Sequence, residues 1–495
     1  MLHADGSCCG SKLKVSDYSQ IPIGSSLTWA GTDSDSDRLF PRVTNDVLLE
    51  IFVYVARSEG VGTRTFEDGW RTLVHVCKRW RSVVFDSPRR LDLQLFCTNR
   101  RPVKKLLDIW PPLPIYINAL HPARKSKLPL RGITNLMAAL KQYNRVRVIW
   151  INGVPNSLLK KSVAMKPFPA LTSLDLLSND AKAPVLPDSF LGGSAPRLRE
   201  IWLEGIPFPG LGKLLLSTTD LVVLSLHDIP HSGFISPEAM VVSLSTLTRL
   251  KTLDLRFRSP RPRADRENRH PSPLARVVLP ALTWLYFKGD SEYVEDIMSR
   301  IDAPLLNSMH ITFFNQLLFD TPQLRHFISC MRIFRAPDCA RIFFDDGHVT
   351  VKLFGTLSLR ILCEPSDWQL SSLAQLYNSA LSPLPALEHL EIHNRRNFWE
   401  DDMENVQWLE FLHLFPSVKD LVLPVKLFRL VAPALDELDG EGVTEVLPVL
   451  QNIVLQSPQP SAPDNKAIGK FIATRQLLGS PVTVQHCHGN DLDTY

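Results

Sequence analysis

The chain has 495 residues, 44% hydrophobic and 21% charged, with 55 basic and 51 acidic side chains and a formal net charge of +4. This is globular composition, with room for two or three domains or for one short domain and a long repeat array. The charge balance excludes a strong general pull toward nucleic acid or anionic lipid. The 8 cysteines, none in a CxxC pair, exclude a disulfide scaffold and fit a reducing compartment.

No apolar run approaches the roughly 18 residues that a membrane span needs, and no apolar h-region follows His3, Asp5 and Gly6. A cytoplasmic and/or nuclear location with no membrane partner is therefore expected, and no nucleic-acid partner is expected either. Residues 1–38 are small and polar, ending in Thr32-Asp33-Ser34-Asp35-Ser36-Asp37. They show no helix or strand period and read as a disordered tail. Cys8-Cys9 is a possible lipid acceptor, but no myristoylation start accompanies it, and an unstructured tail is the simpler reading.

Residues 39–90 read as a short helical domain. A first helix is predicted over 44–55, with Thr44 as N-cap and Asp46 favouring the positive helix end. Val43 and Leu48 form a staple pair across the cap. Val47, Leu48, Ile51, Phe52 and Val55 make one apolar stripe. Leu49 and Val53 add a second apolar face, so the helix should pack on more than one side. After a polar stretch from Arg57 to Gly69, a second helix is predicted over about 70–85. Its stripe is Trp70, Leu73, Val74, Cys77, Trp80 and Val84, opposite a face of His75, Lys78, Arg79 and Ser82 that reads as solvated. Ser87-Pro88 ends it.

Residues 91–480 read as an irregular repeat domain. From about 146 a pattern recurs: proline, any residue, then apolar side chains at positions 1, 4 and 6. It runs Pro169/Leu171/Leu174/Leu176, Pro196/Leu198/Ile201/Leu203, Pro280/Leu282/Leu285/Phe287 and Pro304/Leu306/Met309/Ile311. It returns as Pro385/Leu387/Leu390/Ile392, Pro416/Val418/Leu421/Leu423 and Pro448/Leu450/Ile453/Leu455. Val146/Ile149/Ile151, Leu221/Leu224/Leu226 and Leu250/Leu253/Leu255 repeat it without the proline. Seven of the 38 prolines lead such a triple, against about one or two expected by chance. Positions 4 and 6 then point from a strand into a core, and position 1 closes the turn before it. Such units cannot bury their apolar side alone and must stack.

Two stretches depart from the pattern. The loop 258–276 is basic and Pro-rich, and reads as an exposed insertion, with nuclear localisation or an RNA contact as alternatives. Within 312–384 three strand-like segments, Ala340–Asp345, His348–Phe354 and Leu357–Cys363, predict a paired meander. Helices are predicted over Ser371–Leu381, Gln407–Phe415 and Ala467–Leu478. In the last, Ile468, Phe471, Ile472, Arg475 and Leu478 make a one-sided stripe suited to a terminal cap. Residues 481–495 read as a C-terminal tail. His486-Cys487-His488 lies in it, too closely spaced to close a tetrahedral metal site alone.

No GxGxxG, GxSxG or HExxH motif is present, and Gly205…Gly210 with Gly212-Lys213 departs from a phosphate loop. His227 and His231, with Asp228 between, are the best pair for acid–base work, but a polar turn is the simpler reading. No catalytic residue, metal or cofactor is expected, and the chain reads as a non-enzyme. What remains is the face opposite the core, at positions 3, 5 and 7 of each repeat. It holds Glu200, Trp202, Glu204, His227, Asp254, Arg256, Trp284, Tyr286, Lys288, His310, His389, Glu391 and His393. Of these, Trp202, His227, Arg256, Trp284, Tyr286, Lys288, His310, His389 and His393 are the substrate-face candidates, since exposed Trp, Tyr and Arg often anchor protein interfaces.

Val43-Thr44-Asn45-Asp46-Val47-Leu48-Leu49-Glu50-Ile51-Phe52 resembles the first helix of an F-box. Leu73-Val74-His75-Val76-Cys77-Lys78-Arg79-Trp80-Arg81 resembles its second segment, with V-C-x-x-W. Asp108-Ile109-Trp110-Pro111, Asp367-Trp368-Gln369-Leu370 and Gly442-Val443-Thr444-Glu445-Val446-Leu447-Pro448 extend the likeness. Over about 40–485 the chain is similar to fungal F-box-like proteins with degenerate leucine-rich repeats. The resemblance implies an α+β or α/β solenoid: a short N-terminal helical F-box, then an irregular leucine-rich-repeat-like array with a curved, largely parallel sheet. It also implies a substrate-recruiting subunit of an SCF-type ubiquitin ligase. The F-box would bind a Skp-type adaptor, and through it a cullin–RING assembly, while the repeats hold an unknown protein substrate. By that likeness Val43, Val47, Leu48, Ile51, Phe52, Val74, Cys77, Trp80 and Val84 would contact the adaptor or brace that surface. The alternative is a repeat-based interaction scaffold whose F-box is vestigial.

Overall fold

The computed structural model describes residues 43–58, 73–86, 91–97, 102–110, 112–119, 129–153, 166–178, 185–260, 276–316, 319–331, 338–353, 356–363, 366–381, 387–394, 405–428, 431, 446–456 and 462–487. The chain divides into two compact units, 1–90 and 91–495. The disordered tail expected over 1–38 and most of the loop expected over 258–276 lie outside the described residues.

In the first unit, helix α1 spans Asn45–Ser58. The Thr44 hydroxyl accepts the Val47 amide at 3.4 Å, and its carbonyl accepts the Leu48 amide at 3.1 Å. The second helix, α2, begins only at Lys78 and ends at Asp86, rather than running from about 70. A single 3-10 turn at 73–75 precedes it, closed by the Val76 amide on the Leu73 carbonyl. The run Val74-His75-Val76-Cys77 is poor in strong helix formers, so the regular spacing is met by a turn and a shorter helix. Phe52 and Trp80 meet edge to face, with centroids 5.5 Å apart. Leu48, Leu49, Phe52, Val74, Val83 and Val84 are buried. Arg79, expected on a solvated face, instead ties the two segments together. Its guanidinium donates to the Val43 carbonyl and to Asn45 Oδ1.

The second unit is mixed α/β and holds one large, mostly parallel sheet. Its strands are β1 (Leu93–Phe96), β2 (Ile115–Ala119), β3 (Val146–Asn152), β4 (Ser173–Leu177), β5 (Glu200–Glu204), β6 (Val223–Ile229) and β7 (Thr252–Phe257). A two-stranded side ladder pairs β8 (Val277–Val278) with β10 (Ile301–Asp302). The main sheet continues through β9 (Trp284–Gly289), β11 (Ser308–Phe313), β12 (Cys339–Asp345), β13 (His348–Leu353) and β14 (Leu357–Leu362). It closes with β15 (His389–Asn394), β16 (Asp420–Pro424), β17 (Asn452–Gln456) and β18 (Thr483–Cys487). The order is β1-β2-β3-β4-β5-β6-β7-β9-β11-β14-β13-β12-β15-β16-β17-β18.

The repeat pattern fixes the register. Position 4 forms one continuous row, Leu174, Ile201, Leu224, Leu253, Leu285 and Met309, each paired with the next. Position 6 forms another, from Leu176 to Ile311. All are at most 4% exposed, and each such burial stabilises by about 1.5–3 kcal/mol. The recurring proline occupies the second place of a four-residue turn. The amides of Leu171, Leu198, Leu282, Leu306, Val418 and Leu450 each bond the carbonyl three residues back. Proline's fixed φ suits that place, and its missing N–H is not needed there. Leu221 and Leu250 close the same turn without proline.

The expected meander is present. Strands β12, β13 and β14 are antiparallel neighbours, and their outer members pair in parallel with β15 and β11. Antiparallel pairing replaces the parallel repeat step here, which is why the repeat signature lapses. Helices occur at Ser366–Leu376, continued by a π turn at Tyr377–Leu381, and at Asn405–Leu412 and Ala462–Leu477. The three helices start at Ser366, Asn405 and Ala462, ahead of the expected Ser371, Gln407 and Ala467. In the last, Phe471 and Arg475 are buried and Leu478 is 39% exposed. The expected tail is corrected in part: residues 483–487 form β18, paired in parallel with β17.

Gly205 closes β5 at φ +68°, and an added Cβ would meet the Ser178 carbonyl. Both the left-handed backbone and the close approach exclude other side chains. Gly205→Ala is expected to cost about 1–3 kcal/mol, read as a lower urea midpoint at constant slope.

Candidate binding site on the open sheet face

Side chains that alternate with the core rows occupy the opposite face, where most are half-buried or exposed and Ser225, Asp254 and Thr350 are buried. One row runs Trp202, Ser225, Asp254, Tyr286, His310, Ser358, Lys352, Arg341 and Glu391 across adjacent strands. The next runs Arg256, Lys288, Thr312, Arg360, Thr350, Phe343 and His393. Seven of the nine substrate-face candidates, from Trp202 to His310, therefore sit on β5 to β11. His389 and His393 stand beyond the meander, on β15.

The row is tightly interconnected. Arg256 makes a two-pronged contact to Asp254, with Nε and Nη2 each 2.8 Å from a carboxylate oxygen. Its guanidinium lies 5.7 Å from the Tyr286 ring centroid, within range of a cation–π attraction. Tyr286 stacks on His310 at 4.8 Å and on Trp284 at 6.4 Å, each within 5° of parallel. Trp202 meets His227 edge-on at 6.2 Å. Lys288 lies over Phe314 at 5.6 Å. His389 Nδ1 is 2.6 Å from Asp420 Oδ2. His393 stacks on Phe343 at 4.8 Å and reaches Glu391 at 3.2 Å.

Electrostatics follow from these contacts. The His393 hydrogen bond, with the Arg341 charge beside it, holds the Glu391 carboxyl below its ordinary range. Burial pushes the His310 imidazole below its ordinary value, and the charges of Lys352, Arg256 and Arg360 push the same way.

His227 touches both Ser225 Oγ at 3.0 Å and Asp254 Oδ2 at 2.9 Å, a set that superficially suggests nucleophilic catalysis. Both contacts use the same ring nitrogen, Nε2. A relay needs the hydroxyl and the carboxylate on opposite nitrogens, and Asp254 already holds Arg256. His231 bonds Ser259 at 3.0 Å instead of joining His227. Among the described residues no group of three His, Cys, Asp or Glu side chains is placed to hold a metal ion. No helix among them is long and apolar enough to cross a membrane.

Sequence reasoning missed Arg341, Phe343, Lys352, Ser358 and Arg360, because the meander carries no repeat register. The period-2 alternation in Leu357-Ser358-Leu359-Arg360-Ile361 was the available signal.

In the first unit, the residues expected at an adaptor divide by burial. Leu48, Phe52, Val74 and Val84 are at most 3% exposed and can only brace. Val43, Cys77 and Trp80 are half-buried. Val47 at 49%, Ile51 at 40% and Tyr54 at 72% exposure form the outward stripe of α1, at i, i+4 and i+7. Val76 and Phe85 are exposed as well. The chain matches no protein-family model and no curated protein.

Proposed function

We propose that the chain is a substrate-recruiting subunit of an SCF-type ubiquitin ligase. In this reading residues 43–86 are an F-box that docks a Skp-type adaptor, and the second unit is a degenerate leucine-rich-repeat array. Its open face holds a protein substrate near a cullin–RING assembly in the cytoplasm or nucleus. The observation that carries the reading is the exposed apolar stripe Val47, Ile51 and Tyr54 on a helix whose other face is packed by Phe52 against Trp80. An apolar stripe exposed on a small helical unit favours burial against a partner, and it falls within the F-box-like segment. The in-register L-x-x-L-x-L strands support the repeat assignment. The aromatic and cationic row supports protein binding there.

Capture of a purified Skp-type adaptor by the full chain tests this. Val47→Asp with Ile51→Asp places two charges in the contact and is expected to weaken capture roughly 100-fold. Adaptor binding that ignores the pair overturns the assigned surface. A wild-type chain that captures no adaptor leaves the scaffold reading with a vestigial F-box.

A further inference from the structure

The middle of the open face carries more positive than negative charge. Arg256, Lys288, Arg360, Lys352 and Arg341 stand on five strands, against Asp254 and Glu391. Both carboxylates are already occupied. Asp254 holds Arg256 and His227, and Glu391 holds Arg341 and His393. Lys288, Lys352 and Arg360 have no carboxylate partner among the described residues. Lys288 and Lys352 rest over Phe314 and Phe343, and Arg360 bonds Thr350 Oγ1 at 3.2 Å. Three cations on nearby strands with no carboxylate partner among the described residues, two of them over aromatic rings, form a ready receptor for anionic groups. The fields of Lys352, Arg256 and Arg360 meet at His310, where they add to burial in depressing its pKa.

We propose that this face captures an acidic, extended segment of a partner protein, with anionic side chains received by Lys288, Arg360 and Lys352. This deepens the reading of the open face as the recruiting surface and rests on it. Lys288 and Arg360 are two strands apart in one row, so they stand about 10 Å from each other. A polyproline-II segment brings side chains three residues apart onto one face at about 9 Å. Acidic groups at i and i+3 therefore match the pair, and Lys352, one row over, meets a third. A nucleobase partner fits less well. Tyr286 stacks with both Trp284 and His310, and Phe343 is stacked on His393. These rings already spend faces on one another, whereas single-stranded nucleic acid needs free faces for its bases.

Fluorescence anisotropy with the full chain tests the proposal. The probes are a labelled ten-residue peptide with glutamates at i, i+3 and i+6, its phosphoserine and glutamine counterparts, and a single-stranded RNA of similar charge. Both anionic peptides are expected to bind, more weakly as salt rises, and the glutamine peptide is not. Lys288→Gln, Lys352→Gln and Arg360→Gln together should weaken the anionic peptides by roughly tenfold or more. The melting temperature and adaptor capture should stay unchanged. Preference between glutamate and phosphoserine identifies the source of the charge. Peptide binding unaffected by the triple substitution, equal binding of the glutamine peptide, or binding of the RNA alone overturns the proposal. Loss of adaptor capture by Val47→Asp with Ile51→Asp, at unchanged peptide affinity, separates the two readings.

Discussion

Phe52→Ala is expected to unfold the N-terminal helical unit, whereas Val47→Asp with Ile51→Asp leaves it folded. Phe52 is fully buried and lies edge-on to Trp80 at 5.5 Å. Removing a buried phenyl ring costs about 3–5 kcal/mol through lost transfer energy and the cavity left behind. Small units bury a smaller fraction of their surface than large ones, and whole domains are stable by only about 5–15 kcal/mol. The loss is thus a large share of the stability that a unit of this size can have. Hydrogen exchange reads it directly: the amides from Leu48 to Phe52 should lose their protection in Phe52→Ala and keep it in the double aspartate variant. Retained protection in Phe52→Ala would show that the ring is not the centre of the unit. The contrast also governs how docking is tested. A substitution at Phe52 or Val84 removes adaptor binding by unfolding the surface, so only the exposed stripe reports on contact itself.

That distinction marks where sequence reading ends. Periodicity identified Val47, Leu48, Ile51 and Phe52 as one apolar set. It could not say which members α2 would cover, because that depends on a helix about thirty residues away. The repeat register was legible for the opposite reason. Leu174, Ile201, Leu224 and Leu253 each declare their own strand through local spacing, and stacking simply aligns them. Strands β1, β2 and β18 lack the full L-x-x-L-x-L triple and so fall outside the repeat pattern. β18 is also an edge strand with one neighbour. Its exposed Thr483, Gln485 and His486 show little of the apolar alternation that a central strand needs. The cations Lys352 and Arg360 join Lys288 only through the pairing of β14 with β11 and β13, and no local pattern encodes that pairing.

Glu295→Ala is expected to destabilise the second unit by about 3 kcal/mol, through a helix that does not contain it. Helix α3 (Ser291–Met298) carries Glu295 at 8% exposure. Its two carboxylate oxygens accept the amides of Gln323 and Leu324, each at 2.8 Å. These amides open helix α4 (Pro322–Cys330), where the first N–H groups have no partner within the helix. Thr321-Pro322 looks like a self-sufficient start, with a capping hydroxyl before a proline at the first turn. The Thr321 side chain makes no cap bond, however, and its hydroxyl sits 2.9 Å from Ser379 Oγ. The cap has moved to the neighbouring helix, where a carboxylate also suits the positive helix end. Alanine would leave two amides near the wholly buried Leu324 without that acceptor. Hydrogen bonds to charged groups contribute about 1.5–3 kcal/mol each, and such losses are not fully additive. Glutamine should fall between the two, because its single carbonyl serves one amide while its NH2 faces the other. Urea unfolding checks this order by its midpoints at a common slope. A glutamine variant as stable as wild type would show that one amide already has another acceptor.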